Sequence, residues 1–441
     1  SPALINCTFY GNSAVDHGGG MRNYLSSPAL TNCILWGDTP DEIYNLDPES
    51  LPVVTHSDIQ GSCDAIPGND CGTGNIDADP LFVNDAAGDL RLRLTSPAID
   101  AGDDSAPGLD GITTDLGGHP RFAGTVDMGA HETPPAVISV NLDAGGDNNG
   151  TSWDDAFLDL QDALDWALDG VEIWVAEGVY RPSVEYAGTG PRYRSFQLKN
   201  GVALYGGFDP STGDTAFEDR DWVSNLTILS GDLNGDDGPD FANNDENSYH
   251  VLYHPGGTDL DSTAILDGFT ITGGNANDPG PSHESGGGMY NDGSSPTLTN
   301  CTFAGNAARY GGGGIFCSGY SSPALTNCTF AGNAAGSGAG MYNTYASPTL
   351  TNCTFHGNSA IAAGGGMSNF FALAPTLTNC ILWGDLANDS PEEIYSYISG
   401  SVIVTYSDIQ GGYTGEGNIN ADPKFVDAAC LLYTSDAADD N

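Results

Sequence analysis

The fold turns on the reading of six residues, Leu298-Thr299-Asn300-Cys301-Thr302-Phe303. In a flat strand successive side chains alternate between faces, so Leu298 and Cys301 would point opposite ways, although both are apolar. A bend at Asn300 removes the conflict. Asn tolerates positive φ better than most residues, and a bend there turns Leu298, Cys301 and Phe303 all inward.

The stretch recurs. SPALINCTFYGNSAVDHGGGMRN starts at Ser1, SPTLTNCTFAGNAARYGGGGIFC at Ser295, SPALTNCTFAGNAAGSGAGMYN at Ser322 and SPTLTNCTFHGNSAIAAGGGMSN at Ser347. Two variants, SPALTNCILWGD from Ser27 and APTLTNCILWGD from Ala374, close each run. Cys301, Cys328, Cys353 and Cys380 follow at intervals of 27, 25 and 27 residues. A unit this short cannot bury its own core and must stack on copies of itself. The Gly305-Asn306 pair supplies a second bend, and the glycines before Met289 lead into a strand with Met289 inward. One coil is then about three short strands joined by bends. This predicts an all-β chain, a right-handed parallel β-helix with rungs ~4.8 Å apart. No 3.6-residue period supports an α-solenoid in the repeats.

Composition narrows the partners. Against 59 Asp and Glu the chain has 11 Lys and Arg, a formal net charge of −48. Phosphate neutralisation needs clustered cations, so nucleic acid is excluded as a partner, and anionic lipid is disfavoured by the same field. No apolar run is long enough to span a bilayer.

The GGGM or GGGI stretches with FxGN (Phe9 to Asn12, Phe303 to Asn306, Phe330 to Asn333, Phe355 to Asn358) resemble the repeats of polymorphic outer-membrane proteins, which are adhesin-like passengers. The segment DLGGHPRFAGTVDMGAHE, Asp115 to Glu132, resembles the closing motif of bacterial β-helix proteins of the choice-of-anchor Q type. The segment from Asn148 to Tyr180 resembles their opening. These resemblances imply a secreted, extracellular protein associated with the cell surface, structural or adhesive, with a polysaccharide or cell-surface glycan as partner.

The closing motif precedes the opening one. Residues 1–132 therefore read as the C-terminal part of a first module, 133–136 as a linker, and 137–429 as a second module truncated at its C-terminal end. Asp79-Pro80-Leu81-Phe82-Val83 matches Asp422-Pro423-Lys424-Phe425-Val426 at an offset of 343 residues, the expected module length. Ser1 lies inside a repeat, so the chain is expected to continue upstream. The tail CLLYTSDAADDN shares nothing with the pattern, and 430–441 read as a sequencing-adapter artefact. Phe157, Leu160, Leu164, Ala167 and Leu168 follow helical spacing, predicting a capping helix before the strand EIWVAEGVY.

Six cysteines occupy the TNC position, where an inward ladder of thiols competes with disulfides or a metal framework. Parallel Cβ vectors one rung apart are longer than a disulfide prefers, which favours thiols. Cys63 and Cys71 differ: they bracket CDAIPGNDC, which the second copy replaces with GGYTGEG, so both vanish together and a local disulfide is predicted. The loop Gly231 to His250 offers Asp232, Asn234, Asp236, Asp240 and Asp245 as oxygen ligands in near-EF-hand spacing, and calcium is the ion such a set would take; a solvated turn is the competing reading.

For catalysis the duplicate copies act as a control. His56 corresponds to Tyr406, and other repeats lack the Asp16-His17 pair, so neither histidine is required by the repeat. Acids kept in both copies are Asp38 with Asp385, Glu42 with Glu393, Asp58 with Asp408, and Asp79 with Asp422. Asp58, Asp408, Asp385 and Glu393 are candidates for a glycoside hydrolase, which needs two carboxylates flanking the bond. Asp beside Gly or Pro also simply makes turns. A pectate-type lyase is the weaker alternative, because Arg309 is the only basic residue between Arg220 and Lys424.

Overall fold

The computed structural model describes residues 1–425 apart from 69, 279, 281–282, 389 and 398–401. The adapter reading of 430–441 lies outside the described residues. The described chain divides into two compact units: residues 1–138, 145–156 and 168–171 form the first, and 139–144, 157–167 and 172 onward the second.

In the second unit, parallel strands stack in register along four faces. One face runs from Glu172–Ala176 through Ala203–Phe208, Ile265–Asp267, Thr297–Thr299, Ala324–Thr326, Thr349–Thr351 and Thr376–Thr378 to Ile403–Thr405. The inward position pairs apolar on apolar, for example Leu298 on Leu325 on Leu350 on Leu377. The next face carries Phe303, Phe330 and Phe355, with ring centroids 5.2 and 4.3 Å apart. A further face brings Met289, Ile315, Met341 and Met367 inward. The fourth face, through Ala307–Gly311, Ala334–Ser337 and Ser359–Ala363, was not separately read from the repeat.

The bend at the TNC asparagine is present. Asn300, Asn327, Asn352 and Asn379 have φ of 51°, 55°, 54° and 54°. Asn327 Nδ2 donates to Asn300 Oδ1 at 3.1 Å, and Asn352 Nδ2 to Asn327 Oδ1 at 3.2 Å. Cys301, Cys328, Cys353 and Cys380 are buried free thiols.

The FxGN asparagines are buried as well. Asn306, Asn333 and Asn358 form an inner column in which Asn306 donates to Asn333 Oδ1 and Asn333 to Asn358 Oδ1, each through both its backbone N–H and its Nδ2. The glycines of GGGM make room for it: a Cβ on Gly288 would lie 3.0 Å from Phe303 and 3.1 Å from Asn306 Nδ2.

The predicted helix is shorter than its apolar spacing. It runs Leu160–Trp166, with Asp159 capping the Gln161 N–H. Phe157 bridges to Val140 instead, and Ala167 leaves helical geometry with ψ of 136°. A strand, Val137–Val140, precedes the helix, so Glu172–Ala176 is not the first strand after the closing motif.

The first unit has the same coil on a smaller scale, with parallel pairs such as Leu4 on Leu30 on Val54 and Phe9 on Leu35. Cys63 and Cys71 are joined by a disulfide, their Cα atoms 6.0 Å apart. The closing motif forms a buried polar knot. Arg121 Nη2 pairs with Glu132 Oε2 at 2.8 Å, both residues buried, and Arg121 also donates toward the carbonyls of Asp127 and Ala130. A guanidinium can saturate several convergent acceptors at once, which a lysine cannot. Thr133 and Pro134 of the expected linker are buried, and the Thr133 N–H donates to Asp127 Oδ2 at 2.7 Å.

Candidate functional site

The repeated acids serve first as ladder ends. Where the ordinary repeat has FxGN, the closing variant has LWGD, so Asp385 occupies the asparagine position. It is buried, and its Oδ1 accepts the Asn358 N–H at 2.8 Å and Asn358 Nδ2 at 2.7 Å. Glu393 is buried beside it, with Oε1 accepting the Gly384 N–H at 3.1 Å. Burial, then the neighbouring Asp385, push Glu393 far above the ordinary carboxyl range, and burial raises Asp385. A raised value of this kind favours the neutral acid at Glu393.

The first unit repeats this arrangement. Asp38 Oδ1 accepts the Asn12 N–H at 2.6 Å and Asn12 Nδ2 at 2.8 Å, and Glu42 Oε1 accepts the Asp38 N–H. Burial, followed by Asp38, pushes Glu42 up to about 8. This pair lies beside an open groove of about 480 Å³ that Asp41, Tyr44, Asn45 and Gln60 also line. His17 stacks on Tyr44 with centroids 4.0 Å apart and contacts Asp41 Oδ2 at 3.1 Å.

Asp58 and Asp408 occupy equivalent buried positions, accepting the backbone N–H of Ala78 and of Ala421 respectively. Burial pushes Asp58 up to about 7. These contacts bring Asp385 to Glu393; Asp58 and Asp408 each pin the turn that follows their own strand.

The acidic loop assembles a set different from the predicted one. Carboxylate oxygens of Asp232, Asp236, Asp237 and Glu246 can all lie within 4.8 Å of one another. Asp240 and Asp245 are exposed and outside that group, and Asn234 Oδ1 accepts the Asp236 N–H. The difference has a local cause. Asp240 sits in a left-handed turn, and a single 3₁₀ turn over Asn244–Glu246 leaves Asp245 exposed with Glu246 half-buried.

A third feature was not predicted from sequence. Tyr320, Tyr345 and Phe371 occupy the turn after the Met face in three consecutive rungs, and are 72%, 47% and 38% exposed. All three have positive φ, 68°, 51° and 50°, where the preceding rung has Gly293 at 73°. Tyr345 and Phe371 stack with centroids 5.4 Å apart and planes 5° from parallel, and Tyr397 meets Phe371 edge-on. A second column, Tyr290, Phe316, Tyr342 and Phe370, runs along the strands of the Met face at 5.1, 5.7 and 5.4 Å. The available signal was the aromatic residue two or three places before Ser322-Pro323, Ser347-Pro348 and Ala374-Pro375.

Residues 240–382 match the family described as right handed beta helix region. The fold is a right-handed parallel β-helix. Similar solved structures include pectate lyase Pel9A, at 13% identity and TM-score 0.39 over 62% of this chain and 62% of that one. A pectin methylesterase from Aspergillus niger gives 15% and 0.29 over 68% and 95%. The PL6 family alginate lyase AlyGC gives 11% and 0.25 over 94% and 58%. The chain thus spans 62% of the length of the pectate lyase. No curated protein sequence matches it.

Proposed function

We propose that this chain is a secreted or cell-surface β-helix of the choice-of-anchor Q kind, structural or adhesive, that holds a neutral glycan along its aromatic turn. The observation that carries the reading is the run Tyr320, Tyr345, Phe371. A large side chain at positive φ costs backbone energy that glycine avoids, and such outliers persist where something else selects them. Here three rungs in succession place an exposed ring there, spaced one rung apart along the axis. Flat apolar rings at regular spacing suit the apolar faces of successive sugars, with polar edges left to water. A net charge of −48 disfavours a polyanionic glycan.

The acid pairs support binding over hydrolysis. Glycoside hydrolysis needs two carboxylates that reach a substrate from either side of the bond, whereas Asp385 and Glu393 are both buried, Asp385 closing the asparagine column and Glu393 binding the Gly384 N–H. Affinity electrophoresis in gels containing soluble neutral glucans, xylans or polygalacturonate tests the proposal. Retardation is expected in a neutral polymer and absent in polygalacturonate. Tyr345→Gly should weaken it about tenfold while leaving the melting temperature unchanged or raised, since glycine relieves the left-handed turn. Retention of binding with a lowered melting temperature would mark these rings as packing groups only.

A further inference from the structure

The loop between Thr227–Ser230 and the next strand of the unit, Leu252–His254, carries four carboxylates in a chain already far from neutral. Asp232 organises it: its oxygens accept the N–H groups of Gly235, Asp236 and Asp237. Arg181 donates to the Asp232 backbone carbonyl at 2.6 Å. The base is pinned where the Ser248 N–H donates to the Gly231 carbonyl. Acidic residues gathered in this way need no ligand, so the group alone decides nothing.

Asn247 supplies the deciding observation. It is 1% exposed, and its Nδ2 donates to Asp237 Oδ2 at 2.7 Å, which seats its carboxamide against one of the four acids. Its Oδ1, on the same carboxamide, is buried and accepts no hydrogen bond. A native interior rarely leaves an amide oxygen unused, and a cation is the partner that would use it together with the carboxylates around it. Glu246 Oε1 is likewise buried without a partner.

We propose that Asp232, Asp236, Asp237 and Glu246, with the Asn247 amide oxygen, form a calcium site that orders this loop. Five oxygens from an irregular loop, with water completing the shell, suit calcium, which accepts six to eight oxygens in flexible geometry; magnesium demands a near-ideal octahedron. Nitrogen and sulfur ligands are missing from the set, which argues against zinc. Four carboxylates with oxygens within 4.8 Å of one another repel, a repulsion that a bound cation would relieve.

Calcium chloride titrated calorimetrically into the chelator-treated full chain tests the site, in ~150 mM NaCl so that diffuse attraction is screened. One saturable site is expected, with Kd about 10⁻⁴–10⁻³ M, and magnesium should compete poorly. Glu246→Gln and Asp237→Asn should each weaken it about tenfold or more. Asp240→Asn and Asp245→Asn, which remove the same charge from the same loop, should leave it unchanged. Circular dichroism of each variant checks folding, and Glu246→Gln, at a half-buried position, is the change least disruptive to packing. Heat that never saturates, or equal weakening by all four substitutions, would overturn the site in favour of diffuse counterion binding.

Discussion

Replacing Asn333 with alanine should destabilise the second unit by about 3–5 kcal/mol, while Asn327→Gly should cost less than about 1 kcal/mol. Both residues belong to repeated asparagine columns, and the difference lies in burial. Asn333 is fully buried and makes four side-chain hydrogen bonds. Its Oδ1 accepts from Asn306 N and Nδ2 at 3.1 and 3.2 Å, and its Nδ2 donates to Phe303 O at 2.8 Å and Asn358 Oδ1 at 2.9 Å. Truncation removes all four bonds where water cannot replace them: the buried Asn306 N–H loses its Asn333 acceptor and a cavity is left, although Asn306 Nδ2 keeps the Ile271 and Ala304 carbonyls and Asn358 Oδ1 keeps the Asn333 N–H. Asn327 is exposed, its amides exchange with water, and glycine keeps its φ of 55° without strain. Because stability in stacked repeats is a sum of unit and neighbour terms, loss should centre on the rungs flanking residue 333. Hydrogen exchange resolved by rung, alongside denaturant melts, checks this. Comparable losses in the two variants would show that the inner column has no special weight.

Those two columns also show what the sequence could reveal. The outer bend was legible because a conflict of phase in LTNCTF had one local remedy, a left-handed asparagine, and the structure has it at each copy. The inward cysteines and methionines followed from the same phase. Cys63 and Cys71 were legible because the duplicate copy loses them together. The inner column was not recognised, because an asparagine after glycine reads locally as a turn, and its burial depends on an identical amide one rung away. The same blind spot affected Asp385 and Glu393. Read singly they are turn formers or catalytic candidates, yet the substitution of LWGD for FxGN already aligned Asp385 with the column. In the acidic loop, a linear spacing rule selected Asp240 and Asp245, whereas the backbone brought in Asp237 and Glu246. The exposed aromatic turn went unread because strain at positive φ is a property of the backbone, not of composition.

The column's end sets a pH dependence. Glu393 is pushed above its ordinary value of 4.5 by burial and by Asp385, and Glu42 to about 8 by burial and by Asp38. A carboxyl whose pKa is higher folded than unfolded binds its proton more tightly in the native state. Its contribution is therefore fully present below about pH 4.5 and is lost as pH rises toward the folded value. Each unit should melt at its highest temperature in mild acid, near pH 5, and lose stability progressively from there to about pH 8, with Glu393 extending the decline beyond. General repulsion in a chain of charge −48 also grows over this range, so the slope alone does not identify the pair. Glu393→Gln does. Glutamine keeps the shape, accepts the Gly384 N–H through its oxygen, and offers Asp385 a permanent donor where the acid needs a proton. At pH 8 this variant should exceed the parent by about 2–3 kcal/mol, since each pH unit inside the window is worth ~1.4 kcal/mol, and the two should converge near pH 4.5. Thermal melts of parent and variant across pH 4.5 to 9 measure the difference directly. Parallel curves, offset or not, would mean that Glu393 gains no extra affinity for its proton on folding and that Asp385 does not depend on it.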